Sequence, residues 1–138
     1  MSKVILAETT KFLLFVNDNL AINQDRFKKL INNGVVIASA RSTAKALELL
    51  GRAQYDAVLS DLRRVEHGRK NDNAGIELTL QIRRNNPHIP IFIYSINIDF
   101  ATRQFALSGG ATLVTDNPAE LESGLRKYGL LGWSSPGV

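Results

Sequence analysis

The sequence contains no cysteine among its 138 residues, and this absence excludes several classes of protein. Without a thiol there can be no disulfide framework and no thiolate metal site. No apolar run reaches the roughly 18 residues that a membrane-spanning helix requires. The apolar run at residues 4–7 is short and is followed at once by Glu8, unlike the core of a secretion signal. We therefore expect a cytoplasmic protein with no membrane association.

Charge of one sign is not concentrated either. The chain has 17 Lys and Arg against 13 Asp and Glu, which gives a net charge of +4. The basic residues are scattered, except for Arg63, Arg64, Arg69 and Lys70, so the sequence gives little support for nucleic-acid binding. A chain of this length with 44% apolar residues can bury the core of one soluble domain.

Short, continuous apolar runs recur along the chain and indicate a parallel sheet. Such runs suit strands that are buried on both faces. They lie at residues 12–16, 35–38, 57–59, 91–94 and 112–114. The intervening segments 20–33, 43–50 and 99–107 have helical spacing of their apolar residues. A last helix is predicted to begin at Asn117, a good N-cap that is followed by Pro118 and Glu120.

One segment fits two kinds of secondary structure. Ile76, Leu78, Leu80 and Ile82 alternate with polar residues as in a strand, but they also pair at the i,i+4 spacing of a helix. We predict a helix, because parallel strands need a crossover connection and nothing else supplies it here. The predicted α/β fold is a (βα)5 doubly wound, five-stranded parallel sheet over residues 12–128. Residues 1–11 are then an N-terminal extension and residues 129–138 a flexible tail.

Polar side chains follow several of the predicted strands. Asn17 and Asp18 follow the first, Asp61 ends the third, Ser95 ends the fourth, and Asn117 lies just beyond the fifth. Ligand sites in doubly wound folds lie at this carboxyl edge of the sheet. Oxygen ligands of this kind suit Mg²⁺, and a carboxylate beside such an ion can act as a nucleophile toward phosphorus. Each residue alone also has a structural explanation, as a helix cap, a turn hydroxyl or a strand-end carboxylate.

The order and spacing of these segments resemble the receiver domain of response regulators, which has a flavodoxin-like (CheY-like) fold. Residues 12–19 (FLLFVNDN) resemble its first strand and acidic pair, and residues 55–62 (YDAVLSDL) its third strand with the phosphoacceptor aspartate. Residues 75–78, 89–95 and 108–118 resemble the start of its third helix, its fourth strand and its glycine–alanine turn with the fifth strand. The resemblance covers residues 11–128.

The resemblance implies a role for each residue at the carboxyl edge. Asp61 would accept a phosphoryl group from a histidine kinase or a phosphotransfer protein, and Ser95 would hydrogen-bond that group. Asp18, Asp61 and the backbone carbonyl of Arg63 would bind Mg²⁺, with Asn17 as a weak additional ligand. Phosphorylation would move the loop that carries Ser95, and this movement would alter the surface of the last two helices and the fifth strand, where a downstream protein would bind. Apart from self-phosphorylation at Asp61, no enzymatic activity is implied.

The chain departs from the family pattern at several positions in and around this pocket. Asn17 replaces an acid and Asn117 replaces the lysine that pairs with the phosphoryl group. Residues 66–73 form an insertion that we predict to be a polar, mobile loop. Arg63 or Arg64 could replace the missing lysine, but because arginine is mostly exposed in proteins, we favour solvated loop charges.

Two further departures concern access to the pocket and the switch. Ile96 is large for its position and could restrict access to Asp61, and Val114 stands at the aromatic switch position. Two functions therefore remain open. The first is a stand-alone receiver of a two-component phosphorelay that is phosphorylated on Asp61, and the second is a pseudo-receiver that works without phosphate. In either case we expect output through contacts with another protein or through a homodimer.

Overall fold

The computed structural model describes residues 10–19 and 24–132. The strands are β1 (Lys11–Val16), β2 (Val35–Ala40), β3 (Ala57–Ser60), β4 (Arg64–Glu66), β5 (Arg69–Asn71), β6 (Ile91–Tyr94) and β7 (Leu113–Thr115). Five of them form one parallel sheet in the order β2-β1-β3-β6-β7, and β4 and β5 form a separate antiparallel pair. The predicted doubly wound parallel sheet is therefore confirmed, with β1 and β3 paired at its centre.

Helices connect the sheet strands, as the alternation of apolar runs predicts. They are α1 (Gln24–Asn32), α2 (Thr43–Arg52), α3 (Ala74–Asn85), α4 (Phe100–Ser108) and α5 (Pro118–Lys127). The ambiguous segment lies within α3, where Ile76, Leu78 and Ile82 are buried and Leu80 is exposed. The Asn117 side chain caps α5 by accepting the Ala119 N–H at 2.8 Å. In the part of the chain described, no helix has the length and apolar character needed to cross a membrane.

Both faces of the sheet are covered, which explains the continuous apolar strands. Leu13 and Phe15 of β1 pack beneath α1 and α5, whereas Leu14 and Val16 pack beneath α2 and α3. The first face also includes Leu130 and Leu131, so the core extends past residue 128, where we placed the end of the domain. Residues 1–9 of the predicted extension and 133–138 of the predicted tail lie outside the described residues.

The insertion after β3, which we predicted to be a polar, mobile loop, contributes to a β-hairpin. Strands β4 and β5 pair with Glu66 opposite Arg69, which leaves His67 and Gly68 as a two-residue turn. Both turn residues have positive φ, at 54° and 72°, as type I′ hairpin turns require. The Glu66 carboxylate accepts the Thr43 N–H and, at 3.0 Å, the Thr43 hydroxyl. The hairpin is thereby fastened to the positive end of α2.

Candidate functional site

The end of β3 positions Asp61 at the carboxyl edge of the sheet. The Asp61 N–H donates to the Val16 carbonyl at 3.0 Å, which ties the end of β3 to the end of β1. The Ser60 hydroxyl donates to the Asp61 carbonyl at 2.7 Å. Asp61 is only 8% exposed, so the carboxylate points into the protein and not into an open cleft.

Arg64, the first residue of the hairpin, fills the space beside this carboxylate. Its Nη1 donates to Asp61 Oδ1 at 2.5 Å and to Ser60 Oγ at 2.9 Å. Its Nη2 donates to Thr43 Oγ1 at 2.8 Å and to the Ala74 carbonyl at 3.3 Å. The Arg64 side chain is 0% exposed. The favoured prediction of a solvated charge was therefore wrong for Arg64, because the pocket supplies a partner for most of its N–H groups.

Burial changes the acidity of Asp61. It raises the pKa of the carboxyl from 3.8 to about 7, although the adjacent Arg64 cation lowers it, and the nearby Asp18 carboxylate raises it further. Among the described residues, no hydrogen-bond partner reaches Asp61 Oδ2, which is buried. The group is thus a carboxyl with one oxygen bound to arginine and the other enclosed.

Two of the side chains predicted to bind Mg²⁺ accept hydrogen bonds from backbone N–H groups in this structure. Asp18 Oδ2 accepts the Val65 N–H at 2.8 Å, and Asn17 Oδ1 accepts the Asn19 N–H at 2.8 Å. No cluster of three or more acidic or histidine side chains suited to a metal occurs among the described residues. A guanidinium 2.5 Å from Asp61 Oδ1 also opposes a divalent cation there by charge. As arranged here, these side chains do not fit Mg²⁺, and the ligand role of the Arg63 carbonyl stays a prediction.

Arg63 contacts Ser95 and the loop that follows β6. Its Nη1 donates to Ser95 Oγ at 3.2 Å and to the Ile96 carbonyl at 3.1 Å, and its Nη2 donates to the Asn97 carbonyl at 2.9 Å. The prediction of a solvated loop charge was therefore also wrong for Arg63, because its guanidinium connects the end of β3 to the loop after β6. Ile96 is 71% exposed, and its effect on access to Asp61 stays a prediction.

Asn117, at the position of the family lysine, caps helix α5 in this structure. Its side chain accepts the N–H groups of Ala119 and Glu120, at 2.8 Å and 3.3 Å, at the start of α5. Thr115 lies close by, and its hydroxyl bonds to the Glu120 carboxylate. The cationic groups that contact Asp61 and Ser95 come instead from Arg64 and Arg63.

Sequence reasoning missed the other groups that hold Arg64. Ser60, Thr43 and Glu66 were not identified, and Glu66 lies with one oxygen 3.7 Å from Arg64 Nε. A sequence signal existed only for Arg64, which follows Asp61 by three residues and so can fold back on it. Thr43 belongs to another element, and its proximity depends on the docking of the hairpin on α2.

The fold and the strand-end aspartate define the class of the protein, and comparison with known proteins gives its family. The family model described as "Response regulator receiver domain" matches residues 13–125. The chain belongs to the response regulator receiver domain family, within two-component signalling. A search of curated protein sequences finds no match.

Solved structures share the fold at low sequence identity. A two-component response regulator from Clostridium difficile has a TM-score of 0.72 at 17% identity, covering 86% of this chain and 94% of that one. Chemotaxis response regulator CheY4 of Vibrio cholerae has a TM-score of 0.69 at 22% identity, covering 86% and 98%. The BeF3-activated N-terminal receiver domain of Klebsiella pneumoniae RstA has a TM-score of 0.71 at 21% identity, covering 86% and 97%.

Proposed function

We propose that this receiver domain acts in signalling as a phosphorylation-independent interaction module, in which the Asp61–Arg64 ion pair takes the place of a phosphorylation switch. One observation carries the proposal: the Arg64 guanidinium is wholly buried and lies 2.5 Å from Asp61 Oδ1. Of the two functions that the sequence leaves open, this is the second.

The chemistry of phosphoryl transfer supports this choice. A carboxylate that attacks phosphorus needs an accessible, deprotonated oxygen. Asp61 Oδ1 is bonded to Arg64, and Oδ2 is buried. With a pKa of about 7, Asp61 also carries a proton for part of the time at neutral pH. Displacing Arg64 would break its bonds to Ser60, Thr43 and Ala74 as well as the ion pair.

A second candidate function is phosphorylation of Asp61 by a histidine kinase or a phosphotransfer protein. It is favoured by the presence of Arg63 and Arg64 at the same edge of the sheet as Asp61 and Ser95. Guanidinium groups form strong, charge-assisted bonds to phosphoryl oxygens. In this candidate, Arg64 would turn from the carboxylate to the phosphoryl group and replace the family lysine.

In both candidates the output is a contact with another protein, or with a second copy of the chain, in the cytoplasm. The family resemblance points to the surface of α4, β7 and α5. Helix α4, which contributes to this surface, carries Phe100 and Phe105 with exposures of 76% and 59%. Aromatic side chains of this kind supply much of the binding energy at protein interfaces.

Incubation with acetyl phosphate and Mg²⁺, followed by intact-mass measurement, distinguishes the two candidates. We expect no phosphoryl adduct on the wild type beyond the level in Asp61→Asn, because Arg64 blocks the nucleophile. Chemical reduction of the acyl phosphate before peptide mapping would locate any adduct. A stoichiometric adduct at Asp61 that is absent from Asp61→Asn would overturn the proposal and support the second candidate.

A further inference from the structure

The hairpin holds Arg64 through both of the residues that follow it. The Val65 N–H donates to Asp18 Oδ2 at 2.8 Å, and the Glu66 carboxylate binds the N–H and hydroxyl of Thr43. One contact fixes β4 to the end of β1 and the other fixes it to the start of α2. Because Arg64 directly precedes these two residues, both contacts fix its position beside Asp61.

The groups around the guanidinium complete a cage for a cation. Hydroxyl oxygens of Ser60 and Thr43 and the Ala74 carbonyl accept its N–H groups, and the carboxylates of Asp61 and Glu66 supply negative charge. All five are hard oxygen groups of the type that also surround Mg²⁺. A buried charge of this kind is tolerated only when it is paired and hydrogen-bonded.

We propose that Arg64 is a built-in counter-ion that occupies the place of a divalent cation at Asp61, and that its guanidinium is what excludes Mg²⁺ from the Asp18–Asp61 pair. The β4–β5 hairpin is the element that carries this counter-ion, and Asp18 is a positioning residue for it. The inference rests on the closed pocket of the proposed function, but it concerns the cation and not the phosphoryl group.

Two observations support a latent cation site. None of the residues that the structure describes donates a hydrogen bond to the buried Asp61 Oδ2, and the Asp61 side chain is 10% exposed. The ends of β1 and β3 lie side by side, because the Asp61 N–H donates to the Val16 carbonyl at 3.0 Å, so Asp18, two residues after Val16, lies at the same edge of the sheet as Asp61. If Arg64 is truncated, two carboxylates share a space that has lost its positive charge. A hydrated divalent cation is the simplest species that neutralises both.

The test is a Mg²⁺ titration of the full chain, followed by thermal unfolding and by amide NMR. For the wild type we expect no saturable change in either measurement. For Arg64→Ala we expect the unfolding temperature to rise by about 5 °C at saturating Mg²⁺. The amide shifts should centre on Asp18 and Asp61. Arg64→Lys, which keeps the charge, should behave as the wild type does.

Two further variants locate the effect. The double variant Arg64→Ala/Asp61→Asn should lose the Mg²⁺ response, because it has lost the main ligand. Arg69→Ala removes an exposed arginine of the same hairpin and should leave the wild-type insensitivity to Mg²⁺ unchanged. If the double variant responds to Mg²⁺ as strongly as Arg64→Ala does, Asp61 is not the ligand. If Arg69→Ala responds as strongly, the exclusion of Mg²⁺ is not specific to Arg64.

The outcomes separate this inference from the proposed function. Saturable Mg²⁺ binding at Asp61 of the wild type would overturn the inference. A folded Arg64→Ala variant that shows no response to Mg²⁺ would overturn it as well. If Arg64→Ala is unfolded without metal, folding on addition of Mg²⁺ would support the inference, and failure to fold would overturn it. Phosphorylation of a wild type that binds no Mg²⁺ would contradict the proposed function alone.

Discussion

The Cα of Gly75 lies directly against the backbone carbonyl of Asp61. A β-carbon at Gly75 would stand 2.2 Å from that carbonyl oxygen, and the Gly75 N–H donates to the Leu62 carbonyl at 2.9 Å. The start of α3 is thereby pressed against the end of β3. This approach brings the Ala74 carbonyl within 3.3 Å of Arg64 Nη2. The glycine thus allows one wall of the Arg64 cage to form.

Substitution of this glycine should disturb the site and the fold together. We expect Gly75→Ala to lower the free energy of unfolding by about 3 kcal/mol, because the clash is with backbone and cannot be relieved by a side chain. Gly51→Ala is the control, since a β-carbon at Gly51 of α2 meets nothing within 4 Å. It should leave stability unchanged or raise it by up to about 1 kcal/mol. Urea unfolding measures both, and equal effects would contradict the close approach.

Loss of the Arg64 charge should destabilise the folded state. We expect Arg64→Met to cost about 3–5 kcal/mol above pH 7, because Asp61 and Glu66 lose their buried counter-ion and Asp61 must then take up a proton or stay charged without a partner. The matched control is Arg52→Met. Arg52 has an exposed side chain that pairs with Glu48 at 3.6 Å, and such pairs contribute less than about 1 kcal/mol. Similar losses in the two variants would show that Arg64 is not a buried counter-ion.

The raised pKa of Asp61 predicts the direction of a pH effect on stability. Because the pKa is 3.8 when unfolded and about 7 when folded, the folded state binds more protons between these values. The stabilisation from the bound proton is complete below pH 3.8 and is lost as the pH rises to about 7. We expect the wild type to lose stability relative to Asp61→Asn over this window, as measured by denaturant unfolding at several pH values. A constant difference would mean that Asp61 ionises normally.

Arg63 should control the order of the loop between β6 and α4. It bonds to Ser95 Oγ and to the carbonyls of Ile96 and Asn97, so Arg63→Ala removes three contacts to one loop. We expect faster amide hydrogen exchange across residues 95–98 and a stability loss of about 1 kcal/mol. Arg69→Ala serves as the control on the exposed face of the hairpin. Unchanged exchange in Arg63→Ala would indicate that the loop is held by other contacts.

The sheet, the helices and the position of Asp61 could be predicted because each depends on short-range patterns. Apolar runs predicted the five sheet strands, and the sequence of Asn117 and Pro118 predicted the cap of α5. Even the ambiguous segment of α3 was resolved by the need for a crossover connection. These features follow from the residues within each element and from the rule that strand ends meet at one edge.

The hairpin and the Arg64 cage could not be predicted, because they depend on contacts between distant segments. Val65 is the one apolar residue of β4, and His67-Gly68 is a weaker turn signal than Asn-Gly. The partners of Arg64 include Thr43, which is 21 residues away in the chain. A loop arginine is ordinarily solvated, and Arg64 is buried here only because the hairpin docks against the domain.

If Arg64 blocks access of a phosphoryl group to Asp61, a phosphoryl analogue should leave the NMR spectrum of the protein unchanged. Amide spectra of the wild type would be recorded with and without Mg²⁺ and beryllofluoride, an analogue of the aspartyl phosphate, with Asp61→Asn as the control. We expect no shifts at Asp18, Asp61 or Ser95. Shifts at these residues that spread to α4 and α5, and that are absent from Asp61→Asn, would contradict this expectation and indicate a working phosphorylation switch.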